Sequence, residues 1–442
     1  MLNPKPPNTR IALVNVESDN NRGACALTWA SIEFVLEAFP NASIAIIPLA
    51  ETPRRANPFR HTTKRYPGVE FLPPLFDGGG KTVLPLLAML ARSLQEIFTF
   101  DRRRPNPNPT LEWLRNCDLV VSVGGVTFET LRGTLRDDAR LLIRILPLLA
   151  AERIDLDYVL VGAQAGPFQT SIGRRLFRHV ASSAAAIFPR DIVSAAEVQH
   201  VPRARQILLP DSAFSLELSQ KAPSSLLARR GIDTTSSILA IAISSALRSD
   251  ETREKHVSLF ADVANKLRAS GVVNEIVIVL QVDEDRAISL ELAQSLKLDA
   301  RFFIGDDLSP SELSSLYGSC RMVVASRLHA VIFSLLAGTP AMSLAPEVTF
   351  KERAVLEMLG LESLCVPTRL GSDRAAGNCL EVVADEDRYR QSIASAVSAA
   401  RAALQEVPRI IRETARKTAA DESESRREMD RSTSRRWTPL PP

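Results

Sequence analysis

Residues 319–351 read SCRMVVASRLHAVIFSLLAGTPAMSLAPEVTFK, and this stretch decides the fold class of the second half of the chain. Met322–Ala325 is a short apolar run of the kind that forms a strand buried on both faces. Residues 330–337 have a helix-like pattern, and Gly338, with a proline two positions later, supplies the signals that end a helix. A second apolar run follows at once. This order of strand, helix and strand predicts a parallel α/β sheet.

The segment between the first strand and the helix, Ser326-Arg327-Leu328-His329, is called the SRLH segment below. In open α/β sheets, ligands bind where the carboxyl ends of strands meet the N-termini of helices. A helix N-terminus attracts anions, and an arginine beside an imidazole strengthens that attraction. The segment therefore predicts a site for a phosphate or a carboxylate. Taken alone, a histidine after a strand is also compatible with a purely structural role.

The size and charge of the chain limit its organisation and its partners. A chain of 442 residues is too long for one ordinary core and predicts two domains with a tail. A hydrophobic fraction of 45% and a charged fraction of 24% are typical of a soluble globular protein. The net charge of +3 and the lack of a basic stripe with interleaved aromatic residues argue against a nucleic-acid partner.

Cysteine usage and hydropathy predict the compartment. The five cysteines are scattered and form no CxxC pair, which indicates a reducing compartment and argues against disulfides or structural zinc. The first ten residues are polar and indicate no signal peptide. No uninterrupted apolar run reaches about 18 residues, so no transmembrane helix is expected. We therefore expect a cytoplasmic protein.

The first half of the chain opens with a βαβ pattern. A buried-type strand at 11–16 leads through a polar loop to a helix at about 24–39 and a strand at 43–47. The loop contains Gly23 as its only glycine, so the dinucleotide fingerprint is absent. Asn20 in this loop is a candidate either for capping the helix or for lining a cleft. Residues 77–81, DGGGK, lack the P-loop spacing and predict a turn.

Later strand ends in this half carry further candidates. Gly124 and Gly125 follow a predicted strand and permit either a close backbone approach to a ligand or a tight turn. Arg190 and Asp211 also follow predicted strands. The arginine is placed to reach an anion or to lie on the surface. The aspartate is placed to contact a ligand or to cap the next turn.

Two residues are predicted to cap helices. Asp191 precedes a predicted helix, and Ser309 precedes another that has Pro310 at its first position. In the first half, the pattern also predicts a long helix at about 131–153 and a strand at 158–163.

Composition divides the chain into four parts. Residues 1–220 predict an N-terminal Rossmann-like domain, and a polar, loosely patterned connector at 216–237 marks the boundary. The βα alternation then restarts and predicts a second such domain at 235–383. Residues 384–420 predict helices that pack back on the first half. Residues 421–442 are charged and poor in aliphatic side chains, which predicts disorder.

In series, these segments resemble the polysaccharide pyruvyl transferase family over residues 10–365. The segments that carry the resemblance are 15–26, 118–125, 162–167, 190–191, 211–214 and, as the strongest signature, 326–351. Two positions depart from the family pattern: Ala24 stands where an aspartate is usual, and Val126 where a third glycine is common. We expect the departure at Ala24 to concern the N-terminal subsite and to leave the SRLH segment untouched.

The resemblance implies a fold and a reaction. The fold would be similar to GT-B glycosyltransferases, with two Rossmann-like domains facing across a cleft and the acceptor on the N-terminal side. The reaction would move a pyruvyl group from phosphoenolpyruvate to sugar hydroxyls, as a ketal, on a surface or exopolysaccharide or its lipid-linked precursor. It implies no cofactor beyond phosphoenolpyruvate as co-substrate and no metal. It is compatible with peripheral contact with a membrane-bound glycan assembly at the inner face of the membrane.

The resemblance also implies roles for individual residues. His329 would bind the phosphate or act as general acid, Arg327 would hold the donor, and Asp211 would orient or deprotonate the acceptor. Substrate-binding candidates are Arg190, Ser326, Leu328, Gly124, Gly125, Asn20 and Lys351, although a helix-surface position is equally compatible with the lysine. Two other functions remain open: a GT-B glycosyltransferase that uses a nucleotide sugar, and a non-catalytic binding protein of the same fold.

Overall fold

The computed structural model describes residues 9–49, 57–76, 83–125, 127–201, 204–219, 224–246, 252–299, 302–305, 307–345 and 350–415. The DGGGK segment and the tail at 421–442 lie outside the described residues. None of the described helices is long and apolar enough to cross a lipid bilayer.

The first sheet has eight strands, and every pairing in it is parallel. Its order is β3-β2-β1-β4-β6-β7-β8, with β5 paired to β6 beside this path. The central strand β1 reads RIALVNV and is buried along nearly its whole length, because helices cover both faces of the sheet. The strands are β1 (Arg10–Val16), β2 (Ser43–Pro48), β3 (Glu70–Phe71), β4 (Leu119–Ser122), β5 (Thr127–Thr130), β6 (Tyr158–Phe168), β7 (Ala186–Pro189) and β8 (Arg205–Gln206).

Helices of the first half begin at side-chain caps that the sequence encodes locally. Thr134 and Asp137 form a capping box at the start of α5, and Asp191 accepts a hydrogen bond from the Ser194 amide at the start of α7, as predicted. The helices are α1 (Arg22–Ala38), α2 (Arg60–Arg65), α3 (Val83–Phe98), α4 (Pro109–Arg115), α5 (Leu135–Arg153), α6 (Ser171–Ser183), α7 (Ile192–Val198) and, in the connector, α8 (Ser224–Arg229).

The second sheet has six parallel strands in the order β11-β10-β9-β12-β13-β14. Strand β12, which contains the first apolar run of the opening stretch, lies between β9 and β13, so that Val323 is opposite both Ala240 and Ala341. The predicted strand, helix and strand of this stretch are confirmed. The strands are β9 (Ile238–Ala242), β10 (Glu275–Val279), β11 (Phe303–Ile304), β12 (Met322–Ala325), β13 (Ala341–Ala345) and β14 (Cys365–Pro367).

The helices of the second half follow the predicted alternation. Ser309 caps α11 in a capping box with Glu312, and Pro310 occupies the first helical position. The helices are α9 (Arg253–Ala269), α10 (Arg286–Ser295), α11 (Pro310–Gly318), α12 (Leu328–Leu336), α13 (Phe350–Met358), α14 (Gly371–Ala384) and α15 (Glu386–Leu404), after which the chain remains helical at 406–415.

The two parallel α/β units confirm the predicted GT-B-like architecture. Three short elements, β3, α2 and β5, do not follow from the sequence pattern. Strand β5 occupies a stretch predicted as the approach to a helix, and that helix begins at Leu135 rather than at about 131. Strand β6 also runs past its predicted end at 163 to Phe168, because its second half pairs with β5. Such strands are defined by their neighbours more than by their own side chains.

The helical C-terminal region returns to the first half of the chain. Arg401 donates to the carbonyl oxygens of Phe214 and Leu216 at 3.1 and 3.0 Å. Arg412 donates to the carbonyl oxygen of Ala38 at 2.9 Å. One continuous apolar core contains residues of both sheets and of this returning region. The two halves are therefore packed together through their cores.

A buried arginine also joins the halves at the start of α1. The side chain of Arg22 is 2% exposed, and its Nη1 donates to the carbonyl oxygen of Asn20 at 2.7 Å and to Asp283 Oδ1 at 3.2 Å. Asp283 belongs to the turn after β10, in the other half of the chain. Beside this pair, Asn21 forms an antiparallel bridge with Val282. The loop before α1 is thus fixed to the second half by one ion pair and by backbone bonding.

We expect Arg22→Met to destabilise the protein by about 3 kcal/mol, because it removes a buried guanidinium together with its hydrogen bond to Asn20 and its ion pair with Asp283. Urea denaturation should show a lower midpoint. The matched control is Arg388→Met, whose pair with Asp385 is highly exposed and should be worth less than about 1 kcal/mol. An unchanged midpoint for the Arg22 variant would show that the pair does not hold the halves together.

Candidate active site

Arg190 is placed at the carboxyl end of β7 and is held on two sides. Its guanidinium Nη1 donates to Asp211 Oδ2 at 3.0 Å, and its Nη2 donates to the side-chain oxygen of Gln164. The residue is only 3% exposed, and its Nε has no hydrogen-bond partner among the described residues. Gln164 lies in the second half of β6 and was missed as a contact by sequence reasoning, although it is a polar residue directly after an apolar run.

Asp211 combines the two roles that the sequence left open. Its Oδ1 accepts a hydrogen bond from the Ala213 amide at 2.9 Å and caps the short 3-10 turn Ser212–Ser215. Its Oδ2 faces Arg190 and also lies 3.8 Å from His329 Nε2. This fully buried carboxylate therefore links the first half of the chain to the SRLH segment of the second.

His329 lies in the first turn of α12, with its side chain 15% exposed. Its Nε2 has no hydrogen-bond partner among the described residues. The pKa of the imidazole is lowered to about 4, chiefly by burial; Arg190 and Arg327 act in the same direction, and the Asp211 carboxylate opposes them. The ring is consequently neutral at neutral pH, and its approach to Asp211 is not an ion pair. A neutral, unpartnered nitrogen thus faces a buried carboxylate.

The imidazole lies directly against Gly23, at the start of α1. A Cβ atom built on Gly23 would be 2.2 Å from His329 Nδ1 and 2.3 Å from its Cγ, so any larger residue would displace the ring. The loop in which Ala24 departs from the family pattern therefore touches the SRLH segment through Gly23, and the expectation that the departure at Ala24 leaves this segment untouched stays a prediction. Sequence pattern treats the loop and the segment as separate, because docking between the halves leaves no local signal.

Arg327 is fixed by a carboxylate that sequence reasoning missed. Its Nε and Nη2 donate to Asp285 Oδ2 and Oδ1 at 2.8 and 2.6 Å. Asp285 also accepts hydrogen bonds from the backbone amide and hydroxyl of Ser245. The guanidinium is therefore oriented, with its Nη1 unbonded among the described residues and its side chain 23% exposed. The acidic run after β10 was the available signal for this partner.

Lys351 reaches across to the first half of the chain. Its Nζ lies 3.5 Å from Glu129 Oε2, on β5. Burial lowers the pKa of the ammonium group; Glu129 opposes this shift, and the nearby charge of Arg190 adds to it. Of the two positions that the sequence left open for this lysine, the structure places it toward the interior. Glu129 escaped sequence reasoning because β5 itself did.

The remaining candidate residues of the C-terminal half, Ser326 and Leu328, contact neighbouring parts of the fold. Ser326 Oγ accepts a hydrogen bond from the Ser244 amide at 2.9 Å and lies 3.2 Å from His256 Nε2, which ties the exits of β12 and β9 together. Leu328 is 8% exposed and packs in the core. Neither side chain is directed by these contacts toward the cluster around His329.

The candidate residues of the N-terminal half have different roles in the structure. A Cβ on Gly124 would meet the carbonyl oxygen of Gly162 at 2.7 Å, so the close approach there is to strand β6. Gly125 has φ +102° and contacts Leu27. The carbonyl of Asn20 accepts from Arg22, and its buried Nδ2 has no partner among the described residues. Asn20 thus retains an unused donor, whereas the two glycines shape the turn.

The site as a whole is electrically balanced. Its three cationic side chains each face a carboxylate, in the pairs Arg190–Asp211, Arg327–Asp285 and Lys351–Glu129. Neutral His329 lies near the first two pairs. An anion entering this site would therefore find oriented donors but little net charge.

Comparison with known proteins shows similarity to a family model and to curated proteins. The family model for polysaccharide pyruvyl transferase matches residues 21–347. The amylovoran biosynthesis protein AmsJ of Erwinia amylovora is 25% identical over 265 residues, which span 57% of this chain and 61% of that protein. The alignment thus covers less than two thirds of the relative.

Solved structures with the same fold are much more distant in sequence. The S. aureus MnaA-UDP co-structure has a TM-score of 0.56 at 12% identity, and the match covers 87% of this chain and 90% of that chain. Medicago truncatula UGT71G1 complexed with UDP-glucose has a TM-score of 0.56 at 10% identity, with 92% and 98% coverage. At such identities the likeness concerns the fold alone.

We expect the His329→Gln variant to lose less stability than the wild type as the pH is lowered. In the unfolded chain a histidine binds a proton near pH 6.5, whereas in the folded protein His329 does so only near 4. Between these values the unfolded state binds more protons, so stability falls as the pH is lowered. Tm measured from pH 7 to 4.5 should fall less steeply in the variant, and parallel curves would contradict the lowered pKa.

Proposed function

The chain belongs to the polysaccharide pyruvyl transferase family, and from this premise we propose that it transfers a pyruvyl group from phosphoenolpyruvate to two hydroxyls of a sugar. The sugar would belong to a surface or exopolysaccharide or to its lipid-linked precursor. One observation carries the proposal: His329 Nε2, which has no hydrogen-bond partner among the described residues, lies at the start of α12 close to the oriented guanidinium groups of Arg190 and Arg327.

The start of α12 suits the donor's anionic groups. Phosphoenolpyruvate carries a phosphate and a carboxylate, and both are recognised by guanidinium groups and by backbone amides at helix N-termini. Arg327 occupies the N-cap position of α12 and makes no side-chain cap hydrogen bond. Its Nη1, which Asp285 leaves unbonded, is a donor for such a group. The bidentate contact with Asp285 pre-orients the guanidinium before the donor arrives.

Donor binding would be coupled to protonation of His329. The cations of the site are already paired with carboxylates, so a multiply charged anion brings uncompensated negative charge. Nearby negative charge raises a histidine pKa, in opposition to the burial that lowers it here. His329 would therefore take up a proton as the donor binds. The same proton makes the residue a general acid.

The proposed transfer balances in atoms and protons, and residues of this chain can assist each step. Protonation of the donor's methylene carbon gives a methyl group and an oxocarbenium-like centre, which one sugar hydroxyl attacks. Phosphate leaves, and the second hydroxyl closes the ketal. Of the two hydroxyl protons, one replaces the proton delivered to carbon and the other leaves with phosphate. His329 is the proposed acid, and Asp211, 3.8 Å from Nε2, is proposed to orient the ring or the acceptor hydroxyl.

We expect phosphoenolpyruvate to raise Tm and to release phosphate when an acceptor glycan is present, because a ligand that binds only the folded state stabilises it. His329→Ala should reduce turnover by about a hundred- to ten-thousand-fold. His200→Ala, at an exposed position, is the matched control. A Tm shift with nucleotide sugars and none with phosphoenolpyruvate would favour the glycosyltransferase alternative. Wild-type turnover of the His329 variant would refute its role.

We expect Gly23→Ala to reduce the same activity by about a hundredfold, since a misplacement of about 1 Å at a catalytic group has an effect of that size. The added Cβ would overlap the His329 ring. Gly377→Ala, where a Cβ meets nothing within 4 Å in α14, should leave activity unchanged and stabilise the helix by up to about 1 kcal/mol. Equal activity of the two variants would show that the Gly23 contact does not position the imidazole.

A further inference from the structure

A surface beside the candidate active site combines exposed aliphatic side chains with arginines. Leu135 is 80% exposed, Ile172 is 50% exposed and Leu131 is 36% exposed. We call this surface, with its neighbouring arginines, the arginine–leucine face. Its exposed arginines are Arg132, Arg136, Arg140, Arg174, Arg175 and Arg178.

Two loops form this face, and hydrogen bonds hold them together. The Gln169 amide donates to the carbonyl oxygen of Thr130 at 3.0 Å, and the Thr170 amide donates to the Thr130 hydroxyl at 3.2 Å. A Cβ on Gly173 would lie 2.4 Å from Thr130 Cγ2. The stretch 131–136 at the start of α5 is therefore adjacent to the start of α6, where Ile172 lies.

The charge of the face is of one sign. Within 131–140 and 170–178, the acidic residues are Asp137 and Asp138, and both are buried. Asp137 accepts hydrogen bonds from the backbone amides of Arg132 and Thr134, and Asp138 accepts one from the Thr170 hydroxyl. Both carboxylates are thus occupied by the local backbone and by a cap. The exposed charges of these two ranges are all positive, and one of them, Arg174, lies 3.9 Å from Glu197 outside the ranges.

The face also adjoins the proposed acceptor side of the cleft. Glu129, the partner of Lys351, precedes Leu131 by two positions on the same strand and loop, a distance of at most about 7 Å along the chain. A molecule bound at the arginine–leucine face would therefore be close to the candidate site.

We propose that the arginine–leucine face docks the protein on an anionic membrane surface. Arginines attract anionic lipid headgroups, and exposed leucine and isoleucine side chains enter the headgroup boundary, where their burial is favourable. An acidic polysaccharide would account for the arginines but not for aliphatic side chains left in water. The inference rests on the proposed function in one respect, because docking places the cleft where a lipid-linked acceptor is held.

The test is flotation of the full chain with vesicles of phosphatidylcholine alone or with about a third of phosphatidylglycerol. Binding should require the anionic lipid and weaken as salt is raised, because salt screens surface charge. Arg136→Gln with Arg175→Gln should weaken binding roughly twenty-five-fold, since each arginine near an anionic surface contributes about fivefold. Leu135→Ser with Ile172→Ser should weaken it by at least about tenfold.

The matched control is Arg103→Gln with Leu290→Ser, which removes one exposed arginine and one exposed leucine elsewhere and should bind as the wild type does. Equal binding to both vesicle types, equal weakening by the control, or binding to a soluble acidic polysaccharide without binding to vesicles would each overturn the proposal. Vesicle binding is measured without phosphoenolpyruvate. Its failure is therefore distinguishable from a failure of the proposed transfer, which would appear with a soluble acceptor.

Discussion

The contact between the His329 imidazole and the backbone of Gly23 is the constraint on which the candidate site depends. The ring belongs to the second half of the chain and the glycine to the first, so the contact exists only when the two halves are packed together. Burial in this junction lowers the imidazole pKa, and the same junction brings Asp211 to Nε2. The electrostatics of the site are therefore a property of how the halves dock, and neither half carries them alone.

The sequence predicts the parts of this site that follow from local rules. Arg190, Asp211 and the SRLH segment were predicted because each follows an apolar strand, and parallel strands deliver their carboxyl ends to one edge of a sheet. The capping residues Asp191 and Ser309 were predicted for a similar reason, since side-chain caps act within one helical turn. The alternation of strands and helices gave both sheets, apart from short strands such as β3 and β5.

The partners of these residues could not be predicted in the same way. Asp285, Glu129 and Gln164 are distant in sequence from the cations that they face, and their pairing requires the register of the strands or the docking of the halves. Their presence changes the electrostatic picture from an open cationic pocket to a balanced set of oriented pairs. Such a set offers a ligand donors in fixed geometry more than net positive charge.

The returning C-terminal region has a consequence for how the halves move. Arg401 binds carbonyl oxygens of the turn after Asp211, and Arg412 binds the end of α1, so two separate segments of chain cross between the halves: the connector that contains α8 and the region that follows α14. A rotation that opened the cleft would have to bend both crossings at once. The axis of such a rotation would then pass close to the line that joins them, which restricts the molecule to one direction of opening.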